Sequence, residues 1–135
     1  MSEENVEVVR VAYEAFARGG LDRFVEHFTD DVEYHVLAGA DDLIHGPIHG
    51  KDALRAWLQD WIDMFEGFSM QLVELIDAGG ITVFTAGRYG GRARLSGVET
   101  DSANWTVFTI HDGKIAGGRE CETREQALEA AGLRE

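Results

Sequence analysis

From residue 3 to residue 18, apolar side chains recur at steps of three and four: Val6, Val9, Tyr13, Phe16 and Ala17. That spacing places them on one face of a helix, which Gly19-Gly20 ends. A short second helix follows, with Leu21, Phe24, Val25 and Phe28 turned inward. Thr29-Asp30-Asp31 is a turn. Residues 32–36 then alternate with a period of two, the pattern of a strand. Residues 38–50 contain glycines, Asp41-Asp42 and Pro47, and read as a loop. Residues 51–65 carry the widest apolar stripe of the chain, formed by Leu54, Trp57, Leu58, Trp61, Ile62 and Phe65. They predict a third helix, stopped by Gly67.

The remainder reads as strands at about 69–77, 81–89, 92–97, 102–111 and 114–122. Asp77-Ala78-Gly79-Gly80, Tyr89-Gly90-Gly91-Arg92 and His111-Asp112-Gly113-Lys114 supply hairpin turn chemistry. Thr123-Arg124-Glu125-Gln126 fits a capping box, opening a last short helix that Gly132 closes. Helix, helix, strand, helix and a run of strands predict one α+β domain over residues 1–135. The expected architecture is a curved antiparallel (mixed) sheet wrapped around helices, cone-shaped, with a central apolar pocket.

Composition narrows the function classes. The chain has 135 residues and is 44% hydrophobic, enough to enclose a core and too apolar for disorder. Its formal net charge is −13. A phosphate binder needs a cationic face, so nucleic acid is not an expected partner, nor is an anionic membrane. Cys121 is the single cysteine, which fits a reducing compartment. The first residues are acidic and precede no apolar run, so a secretory signal is not expected. The expected location is the cytoplasm.

Several stretches together resemble the nuclear transport factor 2-like superfamily, in particular its SnoaL-like domains. They are Ala17-Arg18-Gly19-Gly20-Leu21-Asp22, Phe28-Thr29-Asp30-Asp31-Val32, Gly50-Lys51-Asp52-Ala53-Leu54, Ile76-Asp77-Ala78-Gly79 and Asp112-Gly113-Lys114-Ile115, with the tail from Glu125 to Leu133. The resemblance implies the cone fold, but not one activity, since such folds host many. Three positions depart from the ketosteroid isomerase pattern. Ala12 stands where that pattern has a helix tyrosine, Val36 where it has the aspartate base, and Thr106 where it has a protonated acid. That isomerisation is therefore not expected. The polyketide cyclase pattern places an acidic base on the last strand, and Glu120 falls there.

On a strand, Ala116, Gly118 and Glu120 share one face, and Ile115, Gly117, Arg119 and Cys121 the other. The resemblance turns the Glu120 face inward. A carboxylate among Trp57, Trp61 and Phe65 would be desolvated, which favours proton exchange near neutrality. Glu120 is the candidate catalytic residue; a solvated or arginine-paired glutamate is the structural alternative. Asn104 and Thr106, two apart on one face, could hold a carbonyl or enolate oxygen. Tyr13, Phe16, Tyr34 and Val36 complete the candidate ligand-binding set with Trp57, Trp61 and Phe65. His35 should point away from Tyr34. His45 and His49 have a metal-like spacing, but Gly46 and Pro47 preclude a helix there, and no metal or cofactor is expected. Cys121, between Glu120 and Glu122, is not expected to be a nucleophile.

The strand around Phe84 is apolar on both faces, with Ile81 and Val83 on one and Phe84 and Ala86 on the other. An uncovered second face calls for a partner. The expectation is a homodimer through the outer sheet face, near Phe84, Trp105 and Val107. Three functions stay open: acid–base chemistry of cyclase or isomerase type on an apolar carbonyl-bearing or polycyclic substrate, a non-catalytic module for an apolar or aromatic metabolite, and an accessory dimerisation protein.

Overall fold

The computed structural model describes residues 2–36 and 47–133. Among these, α1 (Ser2–Gly19) and α2 (Leu21–Val25) lead into β1 (Phe28–His35). The short β2 (Ile48–His49) and α3 (Lys51–Asp63) precede four long strands: β3 (Phe65–Asp77), β4 (Thr82–Ala93), β5 (Glu99–His111) and β6 (Lys114–Cys121). The last helix is α4 (Arg124–Ala130). The strands form one sheet in the order β2-β1-β6-β5-β4-β3. β1 and β6 run parallel and every other neighbouring pair is antiparallel. This is the α+β architecture with a mixed, curved sheet that the sequence predicts.

The inner sheet face carries Val32, Tyr34, Val83, Phe108, Ile110 and Ile115, packed against Val9 and Ala12 of α1, Leu21 and Phe24 of α2, and Leu54 of α3. These are the apolar positions whose helical and strand periods were in phase. The outer face has its own cluster. Phe84, Ala86, Val107 and Cys121 pack against Ala127, Leu128 and Ala131 at α4. Gln126 N–H donates to the Thr123 hydroxyl at 3.1 Å, and the Gln126 side chain accepts from Glu122 N–H at 3.0 Å. The box thus closes one residue earlier than in the usual reciprocal arrangement.

Phe84 is fully buried within the protomer. Its apolar face is covered by the chain's own last helix, so Phe84 is not the exposed dimer patch expected from the sequence. Val73, the extra residue of a bulge in β3, is 62% exposed on the sheet edge.

Five local expectations are corrected. Phe28 opens β1 rather than ending α2, and a two-residue strand lies within the expected 38–50 loop. The third helix ends at Asp63, and Phe65 begins β3. β4 continues through Gly90-Gly91, where a turn was expected, and the chain reverses only after Ala93. A Cβ on Gly90 would lie 1.8 Å from the Thr100 carbonyl oxygen, and one on Gly91 would lie 2.8 Å from that of Glu66. The glycine pair thus admits close backbone approach from both flanking strands. Finally, Thr109 pairs with Gly117 but Ile110 with Ile115, so Ala116 is bulged out. The bulge turns Ile115 to the inner face, opposite to strict alternation.

No helix among the described residues is long and apolar enough to cross a membrane.

Candidate functional site

Between the inner sheet face and the helices lies a cavity of about 450 Å3. α1 contributes Tyr13, and α3 contributes Leu54, Trp57, Leu58 and Trp61. The strands contribute Phe28, Tyr34, Phe68, Met70, Tyr89, Asn104, Phe108 and Glu120, with Phe24 and Val36 completing the apolar wall. The aromatic rings touch in series. Tyr34 lies 5.7 Å from Trp57, Trp57 lies 6.2 Å from Trp61, and Trp61 lies 5.8 Å from Tyr89. Tyr13 meets Phe24 edge-on at 5.5 Å. Such rings form stiff walls and give a flat ligand π-faces to lie against.

The acid sits where the parallel pair brings distant strands together. The Tyr34 hydroxyl donates to Glu120 Oε2 at 2.6 Å, a charge-assisted geometry. Tyr34 pairs across the ladder with Gly118, and its ring fills the space a side chain there would need: a Cβ on Gly118 would lie 2.7 Å from the ring. Asn104 is seated in a similar way. It pairs with Gly87, where a Cβ would come within 3.0 Å of the Asn104 side-chain oxygen. Two glycines therefore make room for two polar groups of the cavity.

Three tyrosines report on the field of the acid. Burial, then the Glu120 charge, pushes the Tyr13 phenol far above its ordinary range. Tyr34 is raised well above it by burial, then by the Glu120 charge and hydrogen bond, against a small opposing effect of Thr106. Tyr89 is raised by burial and by Glu120, with a hydrogen bond from Ser102 pulling the other way. All three are proton-carrying donors near neutral pH. Burial also pushes the Cys121 thiol up; Arg119 opposes this and Glu120 adds to it. That environment opposes a thiolate nucleophile.

Tyr13, Tyr34, Val36, Trp57, Trp61, Asn104 and Glu120 are thus brought to one cavity. Three other candidates stand behind its wall. Phe16 packs between Phe24 and Phe68, Phe65 stacks on Trp61 at 6.5 Å, and Thr106 is 1% exposed. Phe68, Met70, Tyr89 and Phe108 line the cavity without having been singled out. His35 and His49 flank Glu33, at 2.8 and 3.5 Å, on the side of β1 opposite to Tyr34. Among the described residues no three His, Cys, Asp or Glu side chains are placed to hold a metal ion. Asp41, Asp42 and His45 lie outside the described residues.

This geometry can be set beside known proteins. The model of the SnoaL-like domain family matches residues 9–117. The chain belongs to that family. No curated protein matches it significantly. Among solved structures, the SnoaL-like chain is similar to Bal32a, from a soil-derived mobile gene cassette, with 25% identity over 96% of both chains and a TM-score of 0.76. It is similar to a protein of Jannaschia sp. CCS1 assigned as a SnoaL-like polyketide cyclase, with 21% identity over 96% of this chain and 92% of that one, and a TM-score of 0.74. TerC, co-crystallised with polyporic acid, aligns over 96% of this chain and 98% of its own, with 17% identity and a TM-score of 0.71. The last two likenesses show the fold alone. Membership in the SnoaL-like family leaves the activity and the substrate open.

Proposed function

We propose that this SnoaL-like protein binds a flat, apolar, carbonyl-bearing molecule in its cone cavity and moves a proton beside the carbonyl, with Glu120 as general base. The observation that carries the reading is one carboxylate among the described cavity-lining residues, hydrogen-bonded by Tyr34 at 2.6 Å and walled by aromatic rings. Glu120 would take a proton from the carbon next to the carbonyl. Asn104 and the protonated Tyr13 hydroxyl would hold the oxygen on which negative charge collects. The aromatic walls orient the ring system and exclude water from the enolate. TerC, a relative of the same fold, was crystallised with polyporic acid, which supports a small organic ligand here.

The apolar dominance of the walls supports a second reading, a binding module that stores such a molecule without turnover. Exchange of the α-protons of 2-tetralone in D2O, followed by proton NMR, separates the two. Wild-type protein is expected to accelerate exchange, and Glu120→Gln to lose about a hundredfold or more while still binding the ketone. Undiminished exchange in Glu120→Gln eliminates Glu120 as the base. Binding without exchange by the wild type supports the storage module.

The buried cysteine supports a reducing compartment, and we place the protein in the cytoplasm. The homodimer is proposed on the part of the outer face that α4 leaves open around Trp105, continued to the β3 edge at Val73.

A further inference from the structure

Two threonines stand in one row across the inner face, Thr85 opposite Thr106 and Thr106 opposite Glu120. Thr85 is satisfied, since its hydroxyl donates to the Thr106 carbonyl oxygen at 2.8 Å. The Thr106 hydroxyl is buried and makes no hydrogen bond of acceptable geometry. An orphaned hydroxyl in a dry interior is destabilising, and a valine would fill nearly the same volume without it. Packing therefore does not explain a threonine at 106, and ligand contact does not either, because Thr106 lies behind the cavity wall. Directly across the ladder from it is Glu120, which holds the Tyr34 hydroxyl at 2.6 Å, so the phenol lies beside the threonine, and Thr106 opposes the rise in the phenol's pKa.

We propose that Thr106 is a positioning residue, a second resting place for the Tyr34 hydroxyl when Glu120 takes up a proton. The proposal rests on the reading of Glu120 as base. While Glu120 is a carboxylate, Tyr34 donates to Oε2 in a short charge-assisted bond. Once Glu120 has taken a proton from the ligand carbon, that acceptor has lost its charge and the bond weakens. The C–H electron pair stays on the ligand as enolate. The Tyr34 hydroxyl then turns to Thr106 Oγ1, an acceptor already stripped of water. When Glu120 returns the proton, Tyr34 swings back. One proton changes owner, between the ligand carbon and Glu120; Tyr34 and Thr106 keep theirs and only rotate. Thr106 thus stabilises the protonated state of Glu120, and Tyr34 stabilises the charged state.

Those opposite signs make the proposal testable. Among the described residues, the other titratable or charged groups around Glu120 are Tyr13 from α1, Tyr89 and the Asp101-paired Arg88 from β4, and Cys121 with Arg119 beside it on β6. They are unchanged in every variant below. The Glu120 carboxyl is followed by carbon-13 NMR titration of full-length protein, its signal assigned by loss in Glu120→Gln. Thr106→Val is expected to lower the titration midpoint by about half a pH unit, the worth of one ordinary hydrogen bond. Tyr34→Phe should raise it, and Thr106→Ser should restore the wild-type value. In 2-tetralone exchange, Thr106→Val should lower kcat about fivefold with KM unchanged and melt no lower than wild type. An unmoved or raised midpoint in Thr106→Val overturns the proposal. Full exchange by Glu120→Gln instead overturns the base reading, while the titration still decides the place of Thr106.

Discussion

The ring of Tyr34 lies against Gly118, and a Cβ at that glycine would stand 2.7 Å from the ring and 3.2 Å from Phe108 Cδ1. Gly118 and Glu120 are on the same face of β6, so the residue that seats the ring is two steps from the acid the ring reaches. Gly118→Ala is expected to displace Tyr34, break its bond to Glu120 and cost about 1–3 kcal/mol in denaturant unfolding. In a Tyr34→Ala background the same change should cost clearly less, because only the 3.2 Å approach to Phe108 remains. An equal cost in both backgrounds would refute the seating role.

The chain has three tyrosines, Tyr13, Tyr34 and Tyr89, and all are raised above the ordinary value of 10.0, by burial first and the Glu120 charge second. Their folded pKa values exceed the unfolded ones. The stability they contribute is therefore complete below about pH 10 and is lost as pH rises beyond it, where the unfolded chain gives up phenolic protons that the folded chain retains. Phenolate absorbance should stay low through pH 10 and rise together with loss of far-ultraviolet circular dichroism. Three phenolates appearing at pH 10 in a folded protein would contradict this.

Phe84 and Val73 should separate stability from assembly. Phe84 is fully buried beneath α4, so Phe84→Asp is expected to cost about 3–5 kcal/mol or more and to unfold the chain. Val73 is 62% exposed. Val73→Lys should leave the melting temperature within a few degrees of wild type and convert the proposed dimer to monomer, as read by light scattering. A well-folded dimer of Val73→Lys would remove this surface from the interface.

Arg124 pins the last helix. Its guanidinium reaches the two Glu74 oxygens at 2.9 and 3.1 Å and lies 5.6 Å from the centre of the Phe84 ring. Arg124→Ala is expected to cost about 1 kcal/mol, a small figure because both charged side chains are more than a third exposed. Arg124 holds Glu74 below its usual value of 4.5. The ion pair's contribution is thus present above that pH and lost as pH falls through the lowered value. The destabilisation measured by urea unfolding should shrink correspondingly under acid.

The fold was largely legible because its apolar periods are clean. The stripe from Leu54 to Ile62 and the shared face of Val83 and Thr85 point to one side, where the structure buries Leu54, Val83 and Thr85 and half-buries Trp57, Leu58 and Ile62. Glycine misled where it serves close packing rather than turning. Reading Gly90-Gly91 as a hairpin made Tyr89 the last residue of its strand, and it was not assigned to the cavity wall. Phe68, Met70 and Phe108 were within reach of the alternation rule, but attention to the helix rings left them unassigned. Bulges at Val73 and Ala116 were not legible, since an extra residue leaves no mark in composition or spacing. The seat of Tyr34 on Gly118 depends on β1 lying beside β6, a neighbour relation the local pattern does not carry.

That neighbour relation sets the order in which the molecule matures. Tyr34 and Glu120 are 86 positions apart and meet only through the parallel β1–β6 ladder. Joining so distant segments requires closing a long loop, which slows folding relative to the local β3–β4 and β4–β5 hairpins. The equally local β5–β6 hairpin already carries Glu120, so an intermediate holding only the hairpins and the helices has the carboxylate without its phenol partner. The Tyr34–Glu120 bond therefore forms late in refolding, after most secondary structure is in place.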